Sequence, residues 1–227
     1  MPNSTMSVDE AILHRRSIRA FTAQPVTNEE IRSILDVARY APSGGNLQPW
    51  HVDVINGAAM QRFRELMLGK VEKAPMGEPA EYNVYPPDLK QPYRARRSRV
   101  GAMMYELIGV ARDDRPGKLR HYARNYRFFD APAAMFFSID RTMEVGQWSD
   151  LGMFIQSVML LAESRGLATC AQESWAAWHE TVQSFCEIPP ERMLFCGLAI
   201  GYADDDAPVN ALRTERADVD DFTRWVD

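Results

Sequence analysis

Residues 149–172 read SDLGMFIQSVMLLAESRGLATCAQ. From Asp150 to Arg165 apolar residues fall nearly all round the helical period, the pattern of a central buried helix rather than a surface one. Gly166 stands where a helix C-terminus commonly turns left-handed. Ala168 to Gln172 then reads as a strand, so helix and strand follow each other directly. Beyond it, a helix over about Ala176 to Glu187 is bracketed by a second strand, Met193 to Tyr202. Asp204 to Asp206 breaks that strand, and a tail from Pro208 to Asp227 ends in Phe222 and Trp225.

The same mixture continues upstream. Ser7 with Glu10, and Thr27 with Glu30, have the spacing of capping boxes. The first opens a helix to about His14. The second opens one whose Ile31, Ile34, Leu35 and Ala38 share a face and which Pro42 ends. His51 to Ile55 reads as a strand closed by the Asn56-Gly57 turn, Ala58 to Leu68 as a helix, Ala95 to Arg112 as another, and Ala133 to Ile139 as a buried strand. The class is α+β. With no repeat and no boundary in 227 residues, the expectation is one domain over residues 1–227. Residues 71–94 hold five prolines with Tyr82, Tyr85 and Tyr93, too proline-rich for a regular element and too aromatic for an inert linker. They are expected to form a mobile binding loop or lid, with Tyr85 and Tyr93 as aromatic walls for a planar substrate.

Composition narrows the function classes. No run approaches the roughly 18 apolar residues of a membrane span. The opening Met1 to Ser7 lacks the basic and apolar regions of a secretory signal, so a cytoplasmic protein is expected. A net charge of −5 argues against nucleic acid or an anionic membrane as partner. Cys170, Cys186 and Cys196 are odd in number and in apolar settings, reading as small buried hydrophobes. His14, His51, His121 and His179 show no ligand spacing, so no metal site is expected. No GxGxxG follows a strand, and GxxxxGK, GxSxG and HExxH are absent.

Three places carry chemistry. Arg15, Arg16, Ser17 and Arg19 set three guanidiniums and a hydroxyl within five residues, and Arg213 and Arg216 form a second pair near the other end. Arginine grips phosphate through a planar fork, so two clusters could converge on one phosphate; the alternative is a bias that makes 22 of the 26 basic residues arginine. The third is the loop from Pro42 to Trp50. There Ser43, Asn46 and Gln48 offer donors and acceptors, while Gly44 and Gly45 let backbone approach a flat ligand.

HRRSIRAF at 14–21 and APSGGNLQPW at 41–50 resemble the two N-terminal signatures of the nitroreductase family of FMN-dependent oxidoreductases. GLATCAQESW at 166–175 and NALRTER at 210–216 match further on, in the family's order and across nearly the whole chain. PYRARRSRVGAMMYELIG, NYRFFDAP and QWSDLGMFIQSVMLLAE resemble the branch that includes nitrobenzoate and dinitroaniline reductases. The resemblance implies a nitroreductase-like fold: a central, mostly antiparallel sheet flanked by helices, with the C-terminal tail reaching toward a partner subunit. It implies a homodimer with FMN at the interface, NAD(P)H as electron donor, and a small planar aromatic substrate taken from nitro through nitroso to hydroxylamine by ping-pong transfer. By matching position, Arg15, Arg213 and Arg216 would hold the FMN phosphate, Arg16 and Ser17 would lie near phosphate and ribityl, and Arg19 at the N1/O2 edge. Pro42, Ser43, Gly44, Asn46 and Gln48 would reach the flavin from the partner. Ala171, Gln172, Glu173 and Ser174 would pass beside N5, although Ala171 stands where many relatives have proline and Ser174 where many have glycine.

A cation at N1 and the C2 carbonyl would stabilise reduced flavin, whose negative charge is spread there, and no essential side-chain nucleophile or base is then needed. Fold alone does not fix the acceptor. A quinone or ene reductase, a reductive dehalogenase, or an idle flavin- or anion-binding protein are the alternatives.

Overall fold

The computed structural model describes residues 6–226; Met1 to Thr5 of the leader reading and Asp227 at the end of the tail lie outside the described residues. Both capping boxes form. Ser7 caps α1 (Val8–His14) and Thr27 caps α2 (Asn28–Ala38), each with its glutamate bonded back to the cap. There follow β1 (His51–Asn56), α3 (Gly57–Lys73), α4 (Tyr93–Leu107), α5 (Arg115–Ala123), β2 (Ala133–Asp140), α6 (Val145–Glu163), β3 (Ala168–Gln172), α7 (His179–Cys186) and β4 (Arg192–Gly201).

The four strands make one antiparallel sheet in the order β1-β2-β4-β3. Its middle strand β2 is buried on both faces, as a continuous apolar run requires. The pleat sends Ala134 and Phe136 to one side, and Ala133, Met135, Phe137 and Ile139 to the other. On the first side Phe63 and Met67 of α3 meet Phe128, Phe129 and Trp175. On the second, Ile31 and Ile34 of α2 meet Leu151, Phe154 and Val158 of α6. Helices therefore cover both faces.

Three expectations need adjusting. The helix expected from Ala95 to Arg112 stops at Leu107, where Gly109 turns left-handed at φ 66°, and α5 follows. The signal for α5 was present: Asp114 caps it by accepting from the Gly117 N–H, with Pro116 in its first turn. The helix α6 starts at Val145, not Asp150, with Glu144 and Gln147 forming its capping box. It is also not buried all round. Leu151, Phe154, Ile155, Val158 and Ala162 face the core, whereas Gly152 and Met153 are exposed.

The proline-rich stretch is anchored over its first half. Glu78 and Glu81 N–H groups donate to Ala177 O and Ala176 O at 2.7 and 2.9 Å. The Glu81 carboxylate sits 2.7 Å from both Arg141 and His179, and the Tyr82 hydroxyl donates to Phe195 O. These bonds end at Tyr82, ahead of Tyr85.

Packing around Trp175 is tight. A Cβ on Gly197 of β4 would stand 2.7 Å from Trp175 Nε1 and 3.0 Å from Phe128 Cε1, so Gly197→Ala should cost about 1–3 kcal/mol by overpacking. Chemical denaturation measures this directly; an unchanged midpoint would show that Trp175 can give way.

Candidate active site

The sheet ends at β3, so its outer edge needs a cover. The segment after α1 supplies it. Ser17 bridges Thr169 in parallel, the Ile18 N–H donates to Thr169 O at 3.0 Å, and Phe21 bridges Ala203. That pairing fixes the arginine-rich segment. Arg15, Arg16, Ser17 and Arg19 line one cleft together with Leu212, Thr214, Arg216 and Val100 of α4, about 100 Å³ in volume. Residues almost two hundred positions apart thus converge, and among the described residues none of these arginines forms an ion pair with a carboxylate.

The residue that joins the two arginine segments is Asn210, which the sequence reading missed. It is buried, its Oδ1 accepts from the Arg19 N–H at 2.8 Å, and its Nδ2 donates to Ala20 O and Asp204 O, each at 2.8 Å. Its own carbonyl accepts from Arg16 Nε at 3.2 Å and Arg213 Nη1 at 3.1 Å. Arg213 is thereby turned onto backbone and lines no part of the cleft, whereas Arg216 does. The only sequence signal was an asparagine heading the run that carries Arg213 and Arg216.

A second cleft, about 490 Å³, opens at the far end of β3. Ala171, Gln172, Glu173 and Ser174 form its floor, with Val84, Tyr85, Arg97, Tyr122 and Asn125 as walls. Three residues of strand, roughly 10 Å, separate Thr169 beside the first cleft from Gln172 beside the second. Gln172 donates to Asn125 O at 2.8 Å, but its Oε1 and the Ser174 Oγ are buried without a partner. Burial raises the Glu173 carboxyl above its ordinary value. Tyr93 begins α4 exposed and lines neither cleft.

The Pro42 to Gln48 loop also lines neither. Asp150 of α6 tethers it by accepting from the Gly44 N–H at 3.1 Å, and Ser43 Oγ accepts from the Gln48 N–H at 3.0 Å. Gly45, Asn46 and Gln48 hold positive φ of 58°, 58° and 48°. Two non-glycine residues kept left-handed on an exposed loop are costly, which marks a shape held for a purpose.

Behind Arg19, His121 of α5 is buried against Tyr105 and Phe129. Burial first, then Arg124 and Arg19, push its pKa down to about 4. The arginine segment therefore backs onto a neutral imidazole.

The profile described as "Nitroreductase family" matches residues 12–202. The chain belongs to the nitroreductase family. The FMN and NADPH-dependent nitroreductase NfnB from sphigopyxis sp. strain HMH superposes with a TM-score of 0.94 at 41% identity, covering 98% of this chain and 100% of that one. The nitrobenzene nitroreductase of Ectopseudomonas oleovorans is 35% identical over 100% of this chain and 99% of its own length. For the 4-nitrobenzoate reductase of Pseudomonas putida the figures are 36%, 98% and 96%. The α+β, nitroreductase-like fold with its antiparallel sheet is thus established for this chain.

Two outcomes follow from the site. Replacing Asn210 with Ala leaves the Arg19 N–H without its acceptor and takes one of two donors from the Ala20 and Asp204 carbonyls, which still accept from the Asp204 and Ala207 N–H groups, and should cost about 1–3 kcal/mol. It should also abolish the rise in Tm that sulfate gives the flavin-free wild type through the arginine cleft; a variant that keeps the full sulfate response would show that Asn210 does not assemble the cleft. The second concerns pH. Because the native His121 pKa lies below the unfolded value near 6.5, its contribution is present above that value and is lost as pH falls toward about 4. Wild type should lose about 2 kcal/mol between pH 7 and 5 that His121→Gln does not; parallel stability curves would contradict this.

Proposed function

We propose that the chain is an FMN-dependent NAD(P)H nitroreductase acting as a homodimer in the cytoplasm, its 227 residues a single domain. The observation that carries the reading is the pair of clefts on β3: an arginine cleft without a carboxylate partner at one end, and a flat, tyrosine-walled cleft with unpartnered buried oxygens at the other. Such a layout suits a ligand with an anionic terminus linked to a planar polar ring. Arg15, Arg16, Ser17 and Arg216 would hold the phosphate and the adjoining chain, with Arg213 bracing the tail that carries Arg216, and Arg19 would lie toward the N1/O2 edge of the ring. Gln172 and Ser174 would offer their free oxygens to ring N–H or hydroxyl donors, and the backbone from Ala171 to Glu173 would pass the ring edge.

When bound, FMN supplies the two-electron step between NAD(P)H and the acceptor. Balanced over both reductions, one nitroarene, two NAD(P)H and two protons give the hydroxylamine, two NAD(P)+ and one water. Arg19 would offset the negative charge that the cofactor carries when reduced. Tyr85 and Tyr122 wall the space that nicotinamide and acceptor occupy in turn, which gives ping-pong kinetics. Tyr93, the first residue of α4, stands outside the segment free of the Tyr82 anchor, and motion would be confined to about residues 83–92.

The homodimer reading rests on exposed apolar surface. Met153 of α6, Leu47 of the glycine loop, and Phe222, Trp225 and Val226 of the tail are all exposed in a single chain. A helix apolar all round has to be covered. A partner would cover it, and would bring its Pro42, Ser43, Gly44, Asn46 and Gln48 to the flavin.

Purified protein should be yellow, bleach anaerobically with NADPH, and recolour with nitrobenzene. Colourless protein that takes up no FMN would overturn the reading; a yellow protein not bleached by either nucleotide would leave only a flavin-binding protein. Arg19→Gln should lower the flavin potential and slow the reductive half-reaction roughly 10²-fold, outcomes that spectroelectrochemistry and stopped-flow absorbance read separately.

A further inference from the structure

The second cleft carries one feature that flavin binding leaves unused. Arg97 of α4 lies over the Tyr85 ring, its guanidinium carbon 4.0 Å from the ring centroid. Among the described residues its side chain makes no hydrogen bond or ion pair, unlike that of Arg99 two positions on, which meets Glu215 at 2.6 Å. The Arg97 guanidinium is thus held against an aromatic ring, while its donors stay unmade. A stacked guanidinium loses little further freedom when it binds, and its fork matches a carboxylate through two parallel bonds.

The cleft is also polar in a directional sense. Its lining holds two charged groups, Arg97 from α4 and Glu173 at the end of β3, and they do not pair with each other. An anionic substituent is drawn toward Arg97 and turned away from Glu173. Tyr85 and Tyr122 favour a planar ring between them.

From this arrangement we infer that Arg97 makes the acceptor cleft selective for arenes bearing a carboxylate, bound with the carboxylate on the guanidinium and the reducible group toward Ala171 to Ser174. The inference rests on reading this cleft as the acceptor site. The carboxylate stays unchanged in the reaction and serves as a handle.

Calorimetry on the oxidised holoenzyme tests it with benzoate and benzamide, near-isosteres that differ in charge. Wild type should bind benzoate about tenfold or more tighter than benzamide, the preference expected of one charge-assisted bidentate contact. Arg97→Ala should bring the ratio close to one, and Arg97→Lys should keep part of it because the charge survives without the fork. No preference in wild type, or an undiminished preference in Arg97→Ala, would overturn the inference. A further arm compares the nucleotides. If Arg97→Ala lowers NADPH binding relative to NADH and leaves the benzoate ratio intact, the arginine reads a nucleotide phosphate, and the carboxylate assignment is wrong. Failure of any nitroarene to reoxidise the reduced wild type would count against the nitroreductase reading instead, since the calorimetric ratio needs no turnover.

Discussion

Everything at the site depends on how the outer edge of β3 is covered. Pairing of Ser17 and Ile18 with Thr169 satisfies backbone groups that would otherwise face solvent, and it fixes four cleft-lining side chains in one step. Asn210 then clamps that segment to the C-terminal run through both ends of its amide. Buried Val209 and Leu212 and the Glu215–Arg99 ion pair hold the same run against the body of the fold. With the clamp, residues from both ends of the chain line one cleft.

The cost of this arrangement is electrostatic. Several guanidiniums face one small cleft without a carboxylate near enough to pair, so like charges repel until an anion arrives. Part of their backing is neutral, with His121 held uncharged and Cys170 buried behind Ser17 with its thiol pKa raised, while the Glu163 carboxyl at the end of α6 interacts with Arg16 and Arg15 without pairing with either. An anionic ligand therefore relieves repulsion as well as making bonds, and should stabilise the fold on binding.

Much of this was legible in the sequence because it is written locally. Capping boxes, the buried run of β2, the Gly166 stop and the arginine clusters each depend on neighbours within a few residues, and all appear in the structure. What was missed depends on distant partners. Asn210 looks ordinary until Arg19 and Ala20, some 190 positions away, are placed beside it. The left-handed run at Phe128, Phe129 and Asp130 defied propensity because the core beneath accepts both rings. Tyr85 and Tyr93 looked equivalent by composition, yet only Tyr85 reaches the cleft. The exposed face of α6 marks a different limit, since an apolar pattern says that a helix will be covered without saying by which chain.

That last point bears on the central claim, that each site is built from two chains. A heterodimer pairing Arg15→Glu in one chain with Asn46→Asp in the other separates the alternatives, because each variant alone should hold flavin poorly as a homodimer. If Arg15 and the partner's Asn46 meet at one flavin, two-fold symmetry places both defects in one site and none in the other. Co-expressed, differently tagged and purified as the mixed species, that heterodimer should recover one FMN and about half the wild-type activity per dimer. A heterodimer that stays colourless and inactive, with one defect in every site, would contradict the shared-site account.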